Sequence, residues 1–165
     1  MNKIAVKRFL VQDFQASEAI KTLRTNIIFS GTSIKAFAMT SFSASEGKSI
    51  LSFQLAASMA MAGKRVLLLD TDLRKSVLQS RLRVRERVDG LSHYLSGLAN
   101  VNELLRETDI PGLYIIFAGA LVPNSAELLG GESFAKLIPA LKEVFDYIIV
   151  DAAPLGQVVD CAVMA

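Results

Sequence analysis

Hydrophobic residues follow two alternating patterns along the chain, and together these patterns predict an α/β fold. Short continuous apolar runs predict buried strands at 36–41, 66–69, 113–117 and 147–150. Between the runs, apolar residues recur every three or four positions, which predicts helices over 18–30, 48–62, 90–96, 101–107 and 131–145, with another near 158–165. This alternation is typical of a mainly parallel β-sheet flanked by helices.

The ends of two predicted helices carry suitable capping residues. Ser17 is expected to cap the first helix, and Gly63 is expected to end the helix that begins near Lys48. No strand follows the last predicted helix, although open α/β sheets rarely end on an uncovered helix. We therefore expect residues 1–165 to form a single domain that is truncated at its C-terminus.

Composition excludes several classes of protein. Of the 165 residues, 52% are hydrophobic and 21% are charged, which argues against intrinsic disorder. The apolar runs are much shorter than the ~20 residues that span a bilayer, and charges interrupt the start of the chain, so we expect a cytoplasmic protein without a signal peptide. The single Cys161 and the single His93 exclude an internal disulfide and a Cys/His zinc site.

Charge is nearly balanced over the whole chain, with a formal net value of +2, so we expect no nucleic-acid partner. Locally, the segment 74–87 contains six basic residues, which are Arg74, Lys75, Arg81, Arg83, Arg85 and Arg87. We interpret this segment as a solvated connector in preference to a binding site for phosphates or an acidic peptide.

The segment 43–49 lies between the first predicted strand and its helix, where backbone N–H groups and the helix dipole can hold a phosphate. Gly47 permits close backbone approach, Lys48 supplies a charge for the outer phosphates, and the Ser49 hydroxyl is placed to bind Mg2+. The usual pattern has glycine where this chain has Phe42. The assignment of a phosphate-binding loop therefore also depends on other residues that are expected near the nucleotide. The residues expected to contact the nucleotide are Ser43, Ala44, Ser45, Glu46, Gly47, Lys48, Ser49 and Ile50.

Three carboxylates at the ends of two other predicted strands support the assignment of the phosphate-binding loop. Asp70 and Asp72 follow the strand at 66–69, and Asp151 follows the strand at 147–150. Ligands of open α/β sheets bind at the carboxyl ends of the strands, and a carboxylate there suits a water of Mg2+ beside a phosphate loop. The sequence therefore predicts a site for ATP and Mg2+, with Ser49, Asp72 and Asp151 at the metal.

In the phosphate loop and these carboxylates, the chain resembles the bacterial tyrosine kinases that control capsule and exopolysaccharide synthesis. The motifs that carry the resemblance are 17–26, 43–49, 90–97, 123–129 and the strands that end in Asp70, Asp72 and Asp151. The resemblance implies a P-loop NTPase fold and an ATP-dependent protein-tyrosine kinase that regulates polysaccharide synthesis and export. The family's C-terminal strands and autophosphorylated tyrosine cluster have no counterpart here, because only the scattered Tyr94, Tyr114 and Tyr147 occur.

The resemblance also implies roles for the candidate catalytic residues Lys48, Asp70 and Asp72. Lys48 and the backbone N–H groups of 44–49 would hold the β- and γ-phosphates, and Asp70 would accept the proton of the substrate tyrosine. The roles of Asp70 and Asp72 are interchangeable on this basis. We expect Lys48→Met to abolish ATP turnover and to leave the fold intact.

The same resemblance implies the binding partners of the protein. Glu18, Lys21 and Arg24 match the helix through which the family packs kinase domains into a ring, with Lys21 in place of an arginine, so we expect a homo-oligomer. Protein tyrosines would be the substrates. A transmembrane polysaccharide co-polymerase or adaptor would recruit the protein to the inner face of the plasma membrane. The sixteen residues before Ser17 favour a separate adaptor over a fused anchor.

Two other functions stay open at this level. ATPase switches of the septum-positioning and plasmid-partition type share this sheet, but they carry an extra lysine where this chain has Ser43. The other alternative is a non-catalytic nucleotide-binding module that assembles a polysaccharide export complex. Formation of phosphotyrosine, of free phosphate alone, or of neither distinguishes the three functions.

Overall fold

The computed structural model describes residues 3–31 and 33–155 of the chain. The helix predicted near 158–165 and Cys161 lie outside these residues. Among the residues described, no helix is both long and apolar enough to cross a membrane.

A single sheet forms the centre of the described structure. Its strands are β1 (Ala36–Met39), β2 (Val66–Asp70), β3 (Arg106–Glu107), β4 (Leu113–Ile116) and β5 (Tyr147–Asp151). They are arranged in the order β1-β5-β2-β4-β3. Four strands run parallel, and β3 pairs antiparallel with β4 at one edge. The mainly parallel α/β sheet predicted from the sequence is therefore confirmed.

Helices cover both faces of this sheet. Within the described residues they are α1 (Phe14–Phe29), α2 (Lys48–Met61), α3 (Leu78–Arg81), α4 (Leu91–Leu95), α5 (Val101–Leu104), α6 (Ser125–Leu129) and α7 (Glu132–Lys142). A short 3-10 helix, Lys7–Phe9, precedes α1. Helices α3 and α6 were not predicted, because helices of four and five residues are too short to show a periodic pattern.

Helix α1 begins earlier than the sequence suggested, and its cap was assigned wrongly. Asp13 is the N-cap in place of Ser17, and its carboxylate accepts a hydrogen bond of 2.8 Å from the N–H of Ala16. Aspartate caps a helix as well as serine does. Phe14, the first helical residue, is 77% exposed, so the periodicity of buried positions did not mark this turn.

Other boundaries also differ from the prediction, and α7 ends at Lys142, three residues before the predicted end. The stretch 101–107 is divided, because α5 ends at Leu104 and Arg106 then pairs with Ile115 of β4. In 101–107, pairing with the distant strand β4 decides where the helix ends. Strand β1 ends at Met39, two residues before the predicted end. The prediction that it is buried is also wrong, because β1 lies at an edge of the described sheet, where three of its residues are half-buried and Ala38 is exposed.

Alternate residues of the central strands pack on opposite faces of the sheet. On β2, Val66 and Leu68 belong to a core cluster shared with α2, whereas Leu67 and Leu69 belong to a second cluster shared with α4 and α7. All four side chains are fully buried. A strand that is covered on both faces must be apolar throughout, and this explains the continuous apolar runs.

The register of the parallel strands brings three loops to one edge of the sheet. Met39 at the end of β1 and Asp70 at the end of β2 are both aligned with Asp151 of β5. The N–H of Thr71 donates to the carbonyl of Asp151 at 3.0 Å and extends this alignment beyond the strands. The loop that leads into α2 therefore lies beside the carboxyl ends of β2 and β5.

Candidate active site

The loop that leads from β1 into α2 has the local geometry of a phosphate-binding loop. Gly47 has φ = 84°, in the left-handed region that favours glycine, and it is the N-cap of α2. The carboxylate of Glu46 accepts a hydrogen bond of 3.2 Å from the N–H of Phe42, which closes the loop across its base. The first N–H groups of α2 have no partner within the helix and lie at its positive end. This arrangement suits the binding of an anion such as phosphate.

Lys48, the first residue of α2, contacts the predicted metal ligand Asp151. Its Nζ atom lies 2.5 Å from Oδ1 of Asp151, and the side chains are only 8% and 1% exposed. The hydroxyl of Ser52 donates to the carbonyl of Lys48 at 2.9 Å and to Oδ1 of Asp151 at 3.3 Å. The start of α2 and the end of β5 are thus joined by a buried, charged contact.

The surroundings of Asp151 fit a hydrated Mg2+ ion. Its Oδ2 atom is buried and has no hydrogen-bond partner among residues 3–31 and 33–155. The hydroxyl of Ser49 lies 3.4 Å from Nζ of Lys48 and therefore close to the same carboxylate. In the described part of the chain, no group of three His, Cys, Asp or Glu side chains could hold a metal ion by itself. Water and phosphate oxygens would have to complete the ligand set, as is usual for Mg2+.

Asp70 lies beneath the site and is fully buried. Its carboxylate accepts hydrogen bonds from the Ser76 hydroxyl at 2.5 Å and from the Asp72 N–H at 3.1 Å. Burial, and to a lesser degree the nearby charge of Asp151, raise the pKa of Asp70 to about 7, although the two hydrogen bonds oppose this shift. A carboxyl group that ionises near neutral pH can donate or accept a proton under physiological conditions.

Asp72 occupies a different position from Asp70. It is half-buried, its Oδ1 atom accepts a hydrogen bond of 3.0 Å from the N–H of Lys75, and its side chain lines a cavity of about 420 Å³. Asp70 does not line this cavity. The two residues were interchangeable from the sequence, and the structure separates them into one that faces the cavity and one that lies below it.

The cavity brings the predicted loop residues together with residues that the sequence did not single out. Residues 44–50 line the cavity, and Ser43 is the predicted loop residue that does not. The other lining residues are Ser41, Asp72, Lys75, Val77, Arg81 and Pro154. Lys75 and Arg81 belong to the basic segment that we interpreted as a solvated connector. The density of basic residues in that segment was the signal available in the sequence.

The charged residues of α1 make contacts within the chain. Glu18 and Lys21 form an exposed salt bridge of 2.8 Å. The guanidinium of Arg24 donates to the carbonyl and the hydroxyl of Ser58 on α2, at 3.0 Å and 3.1 Å. Arg24 therefore joins two helices of the same chain, and its role in self-association stays a prediction.

A protein-family model and a curated relative each match most of this chain. The model of the AAA domain family matches residues 34–165. The tyrosine-protein kinase CpsD of Streptococcus agalactiae is 42% identical over 156 residues, which cover 94% of this chain and 68% of that protein. This chain therefore spans about two thirds of the length of that relative.

Two solved structures share the fold. The kinase domain of the Escherichia coli tyrosine kinase ETK matches with a TM-score of 0.87 and 32% identity, over 94% of this chain and 63% of that one. The BceF tyrosine kinase domain matches with a TM-score of 0.85 and 30% identity, over 99% of this chain and 67% of that one. These matches extend over almost all of the chain, from α1 through the phosphate loop to β5.

Proposed function

Because the chain belongs to the bacterial tyrosine kinases and has their P-loop kinase domain, we propose that it is an ATP-dependent protein-tyrosine kinase of capsular or exopolysaccharide synthesis and export. The observation that carries the proposal is the contact between Lys48 and Asp151 beside the loop of Gly47. It places a cation, a carboxylate and a helix N-terminus at one cavity. Phosphoryl transfer requires charge neutralisation and positioning of this kind.

In the proposed mechanism, residues of the phosphate loop bind the nucleotide. The backbone N–H groups of 44–49 hold the β- and γ-phosphates, and Lys48 exchanges its contact with Asp151 for an outer phosphate oxygen. This exchange would release Oδ1 of Asp151, next to an Oδ2 atom that already lacks a partner among the described residues. Ser49, Asp72 and Asp151 are the residues that would hold Mg2+, directly or through water. When bound, the ion neutralises phosphate charge.

Asp70 and Asp72 take different roles in this proposal. Asp72 faces the cavity, so we assign it to the water shell of the metal. Asp70 is assigned as the acceptor of the tyrosine proton, because its pKa of about 7 suits a general base at neutral pH. The hydroxyl of Ser76 donates to Asp70 in this structure, and Asp70 is fully buried and does not line the cavity. That hydrogen bond has to open, and the carboxylate has to become reachable from the cavity, before it can accept the proton.

The partners form a second part of the proposal. A transmembrane co-polymerase or adaptor would recruit the kinase from the cytoplasm to the inner face of the plasma membrane, where polysaccharide is assembled. Protein tyrosines would be the substrates, and copies of the chain would associate through α1. The relationship to CpsD, a tyrosine-protein kinase, supports the choice of substrate class.

The test of the kinase function is an incubation of the purified protein with ATP, Mg2+ and a tyrosine-containing peptide. Phosphotyrosine on the peptide or the protein, absent with Lys48→Met, is the expected result. Release of free phosphate without phosphotyrosine would instead identify an ATPase switch. Nucleotide binding without either product would identify an assembly module.

The adaptor can be tested separately, by calorimetry with and without a peptide of the adaptor's cytoplasmic tail. We expect the ATP affinity and the yield of phosphotyrosine to rise together when the tail is present. Equal values in both conditions would reject activation by an adaptor and would leave the kinase assignment unchanged.

A further inference from the structure

Two cationic side chains, Lys75 and Arg81, line the same cavity as the phosphate loop. Lys75 belongs to the loop after β2, and Arg81 is the last residue of α3. Both residues are exposed, and within residues 3–31 and 33–155 neither forms a salt bridge with an acidic side chain. Their charges are therefore available to a ligand that enters the cavity.

The segment that carries these cations is anchored at several points. Ser76 donates to the buried Asp70, and the N–H of Lys75 donates to Asp72. Helix α3 is held against the core by Leu78 and Leu82, both of which are fully buried. Because the backbone is already held in place, binding of an anion orders the two side chains but does not also have to order the segment that carries them.

The phosphates of a nucleotide are not the best candidates for this anion. The phosphate loop already has its own cation, Lys48, whose side chain is only 8% exposed. Lys75 and Arg81 line the cavity and are exposed to solvent. Cations in such a position attract whatever approaches from solvent. For a protein-tyrosine kinase, that ligand is the polypeptide whose tyrosine must enter the cavity, and the residues on either side of the tyrosine pass over the part of its lining that is exposed to solvent.

We infer that Lys75 and Arg81 bind carboxylate side chains next to the acceptor tyrosine, so that the protein selects acidic peptide segments as its substrates. This inference rests on the proposed kinase function. It assigns a role to two members of the basic segment at 74–87, and it names the chemistry of the polypeptide substrate.

The experiment measures binding of three fluorescent tyrosine peptides by anisotropy, with a non-hydrolysable ATP analogue and Mg2+ present. The peptides differ only in their flanking residues, which are glutamate, glutamine or lysine. We expect the glutamate peptide to bind about fivefold to tenfold more tightly than the glutamine peptide, with a preference that weakens as salt is raised. The same order should appear in the KM for phosphorylation.

Charge reversal provides the decisive variant. In Lys75→Glu/Arg81→Glu, the preference should change to the lysine peptide, and the affinity for the glutamate peptide should fall by a larger factor than the affinity for the ATP analogue. Arg87→Glu is the matched control, because Arg87 is exposed in the same basic segment but does not line the cavity. It should keep the wild-type preference. Circular dichroism checks that each variant is folded.

Three results would overturn the inference: similar binding of all three peptides, no binding of any of them, or a double variant that loses ATP affinity without changing its peptide preference. The last result would assign the two cations to the nucleotide. A different result would refute the proposed kinase function. A wild-type chain that prefers the acidic peptide but forms no phosphotyrosine would support binding of carboxylates by Lys75 and Arg81 and refute the proposed activity.

Discussion

Lys48 and Asp151, which are 103 positions apart in the chain, form a buried salt bridge of 2.5 Å at the centre of the candidate site. From the sequence, we expected Lys48 to act only on a phosphate, so that its replacement would leave the fold intact. The structure changes that expectation. Without the lysine, the carboxylate of Asp151 would remain buried with no cation beside it.

We therefore predict that Lys48→Met abolishes ATP turnover and also lowers the free energy of unfolding by about 3 kcal/mol, because it leaves an unpaired buried charge. Urea unfolding and an ATPase assay measure the two effects. The double variant Lys48→Met/Asp151→Asn removes the charge and should recover much of the stability, but no activity. Equal stability of the wild type and Lys48→Met would show that the salt bridge does not stabilise the folded protein.

Asp70 provides a prediction about pH. Its pKa in the folded protein is about 7, above the ordinary value of 3.8, so the folded state favours the protonated carboxyl. The folded state therefore binds more protons than the unfolded state between these two values, and the contribution of Asp70 to stability falls as the pH rises through this window. Above pH 7, the ionised carboxylate destabilises the fold by up to about 4 kcal/mol.

Asp70→Asn should accordingly unfold at higher urea concentration than the wild type at pH 8, with a much smaller difference at pH 4. The same variant should lose phosphotyrosine formation. Glu143→Gln is the control, because Glu143 is exposed and its replacement should change stability little at either pH. A loss of stability at pH 8 in Asp70→Asn would contradict the assignment of a raised pKa.

Gly47 permits a test of the phosphate loop that does not remove a charge. A Cβ at this position would meet no atom within 4 Å, so the cost of Gly47→Ala comes from the backbone angle of 84° alone, at about 1 to 2 kcal/mol. Because the loop must shift to relieve this strain, the affinity for ATP should fall. Calorimetric titration with ATP measures the loss.

Gly63, just beyond the end of α2, is the matched control for Gly47. It has φ = 85° and equally open surroundings. Gly63→Ala should lower stability by a similar amount and leave ATP affinity unchanged. If both variants bound ATP with the same affinity, the loop of Gly47 would not be the phosphate site.

Arg24 has a structural role that can be separated from self-association. Because it donates to two oxygen atoms of Ser58, Arg24→Ala should lower the free energy of unfolding by about 1 to 2 kcal/mol, whereas Lys21→Ala, which removes an exposed salt bridge, should cost less than about 0.5 kcal/mol. Glu18→Ala/Arg24→Ala should also lower the molar mass in light scattering. A wild-type chain that is monomeric at high concentration would contradict the predicted oligomer.

The sequence predicted the parts of the protein that have a local pattern. Strands β2, β4 and β5 are covered on both faces, so each appears as a continuous apolar run. The prediction failed where no such pattern exists. The cap at Asp13 precedes an exposed Phe14, and β3 consists of two half-buried residues that are defined by their pairing with β4.

Gly90, in the segment 90–97, is another position whose role cannot be predicted from local sequence. In the sequence, this segment is one of the motifs that carry the resemblance to the family. In the structure, a Cβ on Gly90 would lie 2.3 Å from the carbonyl oxygen of Phe117 and from the N atom of Gly119. His93 accepts a hydrogen bond of 3.1 Å from the N–H of Gly90. The glycine is required by a close approach to the chain beyond β4, which cannot be read from its neighbours in sequence.

By itself, then, the sequence determined the α/β architecture, the loop at Gly47 and the carboxylates at the ends of two strands, because each depends on residues that are adjacent or periodic. Only the tertiary structure decided that Lys48 contacts Asp151, that Asp72 lines the cavity whereas Asp70 is buried and does not, and that Lys75 and Arg81 line the same cavity. These relationships join residues from different strands and loops. Their distances are set by the register of the sheet and by the packing of the core, and neither leaves a local signal in the order of the amino acids.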